Sequence, residues 1–443
     1  MISMIRLVRE ARDTCGRWAG RGLLTVLDQG LVSGSNFLAG VLFARWLAPA
    51  DYGAFAVAFS IFLFLGGFHN ALILEPMSVL GASRYGESRR PYLRAAVLLH
   101  VGISGLLAVM LMGSALLSRR VPALGASLTA LALAMPFILL LWLLRRACYV
   151  FLGPAAALWG SVAYAAVMGV SMMVAPRDTP MTPLLLMGLA SAAGGLVLWR
   201  RWRLTAAETA GRPGPRVVDL LRRHWSYGKW VAAVTLLHWV ANLAFPALIG
   251  WRLGLDAAGS FRASENLLLP MQHVLAAMTL LLLPWASAQA ARRGTQYLKR
   301  FATKGLLVAS VAGGLYALAL LAAAEPLAGI LYGNDSLYRV AELLPLMTAA
   351  MLVRGISDLA FATSVRAAGR PEVILWSTAA GATVSGALGI PLLTAWSLQG
   401  AAALFLLSQI AQAVVLAAAL LRITGRGDLR PAILSTSCPQ ETN

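Results

Sequence analysis

The chain has 443 residues, of which 59% are hydrophobic and only 12% charged, about half the usual ~25% of a soluble domain. That composition cannot clothe a soluble globule of this size in polar side chains, and without a Gly/Pro period the apolar excess also excludes collagen, coiled-coil and disordered classes. What remains is a polytopic membrane protein with room for about a dozen spans of roughly 20 apolar residues each.

The first 21 residues are basic and lead into a long apolar run that carries Asp28. A cleaved signal peptide has a shorter, cleaner core, so this segment reads as a leader to the first span. Apolar runs then follow at approximately 22–46, 54–76, 93–117, 123–144, 151–175, 181–199, 230–251, 261–284, 303–324, 342–364, 373–395 and 400–422. Turn signals separate them, among them Ala48-Pro49, Pro176, Pro180 and Gly333-Asn334-Asp335. The period-2 alternation of a β-barrel is missing, so the fold class is all-α with about 12 transmembrane helices.

The formal net charge is +19, from 37 Lys and Arg against 18 Asp and Glu. In a soluble protein this would suggest nucleic acid; here it reads as topology, and no nucleic-acid partner is expected. With the N-terminus in the cytoplasm, 29 of the 37 cations fall on inner segments. Seven fall at outer ends (Arg45, Arg119, Arg120, Arg177, Arg252, Arg262 and Arg339), and Arg354 lies inside a span. This bias predicts an N-in, C-in chain, and the inner cations are also suited to anionic lipid.

Cys15, Cys148 and Cys438 sit in separate segments without paired spacing, which predicts neither a disulfide framework nor a metal site. No GxxxxGK[ST] loop accompanies the three lysines (Lys229, Lys299, Lys304), so transport would run on a gradient or passively. No cofactor is expected. HExxH, GxSxG and paired-carboxylate motifs are missing, and the chain does not read as an enzyme. A sugar polymerase or ligase would place its catalytic groups on a long outer loop, and the longest outer connection here is 325–341.

A weak repeat recurs at an offset near 206. Leu47–Phe55 matches Leu253–Phe261, Asn36 matches Asn242, Pro76 and Pro284 each end the second span of a half, and Tyr92-Leu93-Arg94 matches Tyr297-Leu298-Lys299. Two parallel halves follow, 1–212 and 213–443, with a site expected between them. Arg-Pro-Gly-Pro (212–215) breaks the connection, and 216–227 is either a basic amphipathic helix on the inner surface or a solvated linker.

The stretch Phe43-Ala44-Arg45-Trp46-Leu47-Ala48-Pro49-Ala50-Asp51-Tyr52-Gly53-Ala54-Phe55 resembles the "ar-L-g-p-x-x-y-G" signature of oligosaccharide flippases. These form the polysaccharide transporter branch of the multidrug/oligosaccharidyl-lipid/polysaccharide (MOP) exporter superfamily. Span count, 6+6 arrangement, basic N-terminus and second-span proline carry the resemblance over most of the chain. It implies a V-shaped two-lobed fold in the bacterial cytoplasmic (inner) membrane. It also implies export of undecaprenyl-pyrophosphate-linked oligosaccharide repeats to the outer leaflet, with membrane lipid and polysaccharide polymerase machinery as partners. The two extra spans usual in the superfamily's lipid II flippases have no counterpart here.

Ionisable groups inside a span cost roughly 2.5–3.5 kcal/mol each at a helix centre, so they face a cavity or a partner. Arg354 and Asp358 share a face at i,i+4, either as a locked pair or as an Arg available to phosphate. Asp28, with Ser35 two turns on, is either a coupling carboxylate or a helix-end residue in inner water. His69 and Asn70 fall near the repeat positions of Gln272 and His273, while His238 and Asn242 share a face. These histidines are candidate proton relays or interhelical hydrogen bonds. Glu75 and Glu265 are expected in water near opposite surfaces, and Ser408 and Gln412 are expected to glue helices. Arg45, Arg252 and Arg262 at the outer ends of spans 1, 7 and 8 are candidate receivers of an anionic head group, or snorkelling anchors. A candidate path runs from Asp28, His69 and His238 past Asn36, Asn242 and Arg354 to those three arginines. A cation-coupled multidrug or toxin antiporter of the same superfamily is the competing function, and it would need an acidic or aromatic cleft.

Overall fold

A computed structural model describes the backbone of residues 2–205, 215–333 and 339–426, and every regular element among them is helical. The side chains of 1–21, the 212–214 part of the expected break, the outer turn at Asn334-Asp335 and the tail beyond 426 lie outside the described residues. Two compact units divide the chain, Met1–Thr235 and Leu236–Asn443.

The first unit contains α1 (Ile2–Trp46), α2 (Pro49–His69), α3 (Arg89–Leu117), α4 (Pro122–Phe151), α5 (Pro154–Val174), α6 (Thr182–Thr205) and most of α7 (Val217–His238). Proline opens α2, α4 and α5, where its missing N–H would be unsatisfied anyway. Gly153, at φ 93, makes the tight reversal between α4 and α5 that a side chain would strain. The second apolar run does not stop at Pro76 as expected. Two π-helical segments, Asn70–Leu74 and Met77–Gly81, flank the proline and carry the helix on to Gly81. Widened turns are one way a helix absorbs such an interruption.

The core of this unit is α4, packed on α2, α3 and α6 through Leu131, Met135, Leu139 and Leu143. Small residues bring the helices close: a Cβ on Gly188 would lie 2.7 Å from that of Ala134, and one on Gly194 the same distance from the Gly160 carbonyl oxygen. Without a hydrophobic difference between lipid and helix, such close contact is a main source of association.

Residues 217–227 are not a solvated linker. They open α7, which buries Leu220, His224, Gly228 and Ala232 at i,i+4 spacing. His224 Nδ1–H donates to the Leu72 carbonyl (2.9 Å), leaving Nε2 to accept from the Tyr92 hydroxyl (3.2 Å). This pins the first turns of α7 onto the first unit, so the division falls within the last turn of α7 rather than at 212/213. A Cβ at Gly228 would collide with the Ala71 carbonyl. Gly228→Ala should therefore cost about 1–3 kcal/mol through overpacking, whereas Gly102→Ala, which meets open space, should not. Thermal denaturation of the two purified variants checks this.

The second unit continues from α7 through a π-helical segment, Trp239–Leu243, into α8 (Phe245–Leu253), α9 (Leu255–Arg293), α10 (Thr295–Ala322), α11 (Ala324–Tyr332), α12 (Val340–Ile356) and α13 (Glu372–Arg426). Helix α9 runs past Pro284 to Arg293, so that proline does not end the span either. A fourth wide segment, Ser357–Ala362, extends α12. Helix α13 is two helices joined across Ser397, whose φ of 49 breaks the backbone between the expected eleventh and twelfth spans. Among the described residues, nine helices are long and apolar enough to cross a membrane, ten with the bent α7–α8 pair. Reading α13 as two and adding α9 recovers the approximately twelve expected.

Candidate functional site

A cavity of about 620 Å³ opens inside the second unit, and thirteen of its nineteen lining residues are polar or charged. Two π-helical segments border it: Trp239–Leu243 contributes Asn242, with His238 just before it, and Ser357–Ala362 contributes Ser357 and Asp358. Wide turns of this kind recur at functional sites because they shift side chains out of the helical register. Helix α9 adds Gln272 and His273, α12 adds Arg354, and α13 adds Ser377, Thr378, Gln409 and Gln412. Polar groups gathered at the core of an apolar bundle face water or a hydrophilic ligand, since lipid would not tolerate them.

Arg354 Nε lies 3.6 Å from Asp358 Oδ2, with the two side chains 28% and 46% exposed. At that separation the pair attracts electrostatically but is not a hydrogen bond. The two Nη groups of Arg354 have no partner among the described residues, so its donor fork is open to the cavity. The same cavity holds an amide cluster. Asn242 Oδ1 accepts from Gln409 Nε2 (3.0 Å) and from Gln412 Nε2 (3.5 Å), while Asn242 Nδ2 turns to the His238 carbonyl (3.3 Å). Ser408 donates to the Ala241 carbonyl in the π segment (2.9 Å), which is the glue expected of it. His273 Nδ1–H donates to the Leu269 carbonyl (2.7 Å), which leaves Nε2 as the nitrogen able to take a proton. Five of the eleven candidates thus meet in one place: Arg354, Asp358, His238, Asn242 and His273. Arg366, Gln272 and Gln409 join them, and of these Arg366 and Gln409 were not anticipated. Gln409 lies three residues before Gln412 on α13, a spacing that could have identified it.

The other candidates lie elsewhere. Asp28 is fully buried and does not reach inner water. It accepts from Arg145 Nη2 (2.6 Å), Tyr149 OH (2.6 Å) and Ser161 Oγ (2.5 Å). The i,i+4 spacing of Arg145 and Tyr149 on α4 places both on the face that meets Asp28. Asn36 accepts from Tyr164 OH (2.6 Å), two turns along the same α1–α5 seam. His69 Nε2 and His100 Nδ1 share a hydrogen bond (3.1 Å) in the core of the first unit. Arg45 is exposed at the end of α1 in the first unit. In the second unit, Arg252 reaches Thr394 Oγ1 (3.3 Å) and Arg262 pairs with Glu265 (3.0 Å). Glu265 is only 15% exposed, so it is a partner of Arg262 rather than a wet carboxylate.

Residues 204–334 match a family model described as a polysaccharide biosynthesis protein. No curated protein sequence matches the chain. Among solved structures, the chain resembles a multidrug resistance MATE family transporter of the MOP superfamily in an inward-facing conformation, with a TM-score of 0.75 at 11% identity over 90% of this chain and 95% of that one. The lipid II flippase MurJ in an inward closed conformation matches with a TM-score of 0.65 at 12% identity, over 91% of this chain and 90% of the other. A MOP superfamily transporter from Pyrococcus furiosus matches with a TM-score of 0.54 at 13% identity, over 91% and 94%. The fold is that of the MOP transporters, and with the polysaccharide family match it bears out the resemblance read from Phe43–Phe55.

Proposed function

We propose that the cargo of this flippase-type MOP transporter is an undecaprenyl-pyrophosphate-linked oligosaccharide, carried from the inner to the outer leaflet for surface polysaccharide synthesis. The observation that carries the reading is the open fork of Arg354 in a polar cavity. A guanidinium presents paired donors that match phosphate or carboxylate oxygens, and it remains charged throughout. A sugar diphosphate cannot cross hydrocarbon unaided, because each desolvated charge costs several kcal/mol or more. Arg354 and Arg366 would replace its hydration, while Asn242, Gln272, Gln409 and Gln412 meet sugar hydroxyls. Arg45, Arg252 and Arg262 remain proposed outer contacts. Asp358, His238 and His273 are the coupling candidates that share the cargo's cavity; Asp28, Asn36 and His69 are bonded inside the first unit. The proposed setting is a bacterial inner membrane with both termini in the cytoplasm and a polymerase taking the delivered repeats.

Deleting the gene should strand lipid-linked repeats on the cytoplasmic side and abolish a surface glycan. A deletion strain that keeps all its surface polysaccharides but becomes sensitive to cationic dyes overturns the reading. That result would favour the cation-coupled multidrug antiporter, for which the half-exposed carboxylate of Asp358 is the supporting feature. Orientation is tested separately. Reporter fusions at 210 and 440 should read inside and one at 335 outside, and an outside signal at 210 would reverse the assignment.

A further inference from the structure

The inner ends of four segments of the first unit meet in one basic surface. Arg90 Nη2 donates to the Arg203 carbonyl (3.0 Å), joining the start of α3 to the end of α6. Arg223 Nη1 donates to the Tyr85 hydroxyl (3.3 Å), and Tyr85 stacks on Tyr92 with ring centroids 4.5 Å apart. Tyr92 in turn holds His224, so the start of α7 joins the same assembly. The stretches 84–94, 200–203 and 216–229 together contain eleven Arg and Lys against two acids, Glu87 and Asp219.

A topology signal requires only positive charge on the correct side. This surface has more. Arg201 stands over the Trp159 ring (4.6 Å), Arg203 over Trp199 (5.2 Å) and Lys229 over Trp230 (5.4 Å). Trp159, Trp225 and Trp230 are 51%, 53% and 71% exposed. Indole rings of this kind belong at the headgroup level of a bilayer, and each ring holds a cation beside it at that level. The buried face of α7 fixes which side turns outward: Leu220, His224 and Gly228 face the unit, and Arg222, Trp225, Lys229 and Trp230 face away.

We infer that this surface binds the headgroups of anionic phospholipids in the leaflet it faces, independently of the transported cargo. The chemistry is phosphate oxygens on Arg and Lys, with indole rings set among the glycerol and upper acyl groups. Clusters of this charge density beside a span attract anionic lipid, and the attraction is screened by salt.

The test uses the full chain in phosphatidylcholine vesicles containing brominated phosphatidylglycerol, with quenching of tryptophan fluorescence as the readout. Wild type should be quenched more by brominated phosphatidylglycerol than by brominated phosphatidylcholine, and salt should reduce the difference. Arg200, Arg222 and Lys229 are exposed. Replacing all three with Gln should weaken the phosphatidylglycerol preference by about a hundredfold, at about fivefold per cation. Arg292, Lys299 and Arg300→Gln removes the same charge from the second unit and should leave the preference intact. Should the first triple variant fail to fold, the salt titration of wild type still decides. Equal quenching by the two lipids, a salt-insensitive preference, or an equal loss in both triple variants overturns the inference.

Discussion

Arg354→Gln should abolish export while leaving protein levels in the membrane unchanged. The Arg354 Nη groups have no partner among the described residues, so their removal leaves no buried acceptor unsatisfied, and Asp358 can reach cavity water through its 46% exposed side chain. The loss falls on the cargo. Hydrogen bonds to charged groups contribute about 1.5–3 kcal/mol each, which is about 10- to 100-fold in affinity for a single contact and more for a bidentate one. Asp358→Ala should act differently, by releasing Arg354 from the carboxylate 3.6 Å away and tightening anion binding at the expense of release. The double variant separates roles. A locked structural pair predicts that Arg354→Ala with Asp358→Ala regains export along with folding; a cargo-binding arginine predicts a folded, inactive protein. Complementation and membrane protein levels for the four variants decide, and a fully active double variant removes Arg354 from the site.

The sequence carried the helical architecture because bilayer thickness is written in local composition. Apolar runs marked the helices, and an internal repeat marked two halves. Helix ends were less legible. Pro76 and Pro284 looked like terminators, yet π widening and simple continuation carry both helices past them. At the site, i,i+4 spacing correctly placed Arg354 with Asp358 and His238 with Asn242, since one helix fixes such pairs. Partnerships between distant helices were invisible. Nothing local joins Asp28 to Arg145, or Asn242 to Gln409, across 117 and 167 residues. A charge in a span announces that it needs a partner, but only the fold says which.

Asp28→Asn should lower the protein's stability by about 3–5 kcal/mol, before any effect on transport is read. The substitution keeps size but removes the charge opposite Arg145, whose side chain is 14% exposed and whose Nε has no partner among the described residues. Breaking one side of a buried ion pair leaves the other charge uncompensated, which is the costly outcome. Replacing both ions with apolar residues of similar volume is often close to neutral. Asp28→Leu with Arg145→Met should therefore recover much of the loss. Recovery stays incomplete while Tyr149 and Ser161 lack their acceptor, at about 1–3 kcal/mol for each unsatisfied hydroxyl. Adding Tyr149→Phe and Ser161→Ala should restore the rest. Thermal denaturation follows stability along this series, and complementation follows transport. A quadruple variant that folds and exports makes Asp28 a clamp holding α1 on α4 and α5. If Asp28→Asn instead remains as stable as wild type and loses export, the carboxylate serves transport itself, and coupling through the first unit becomes the better account of its burial.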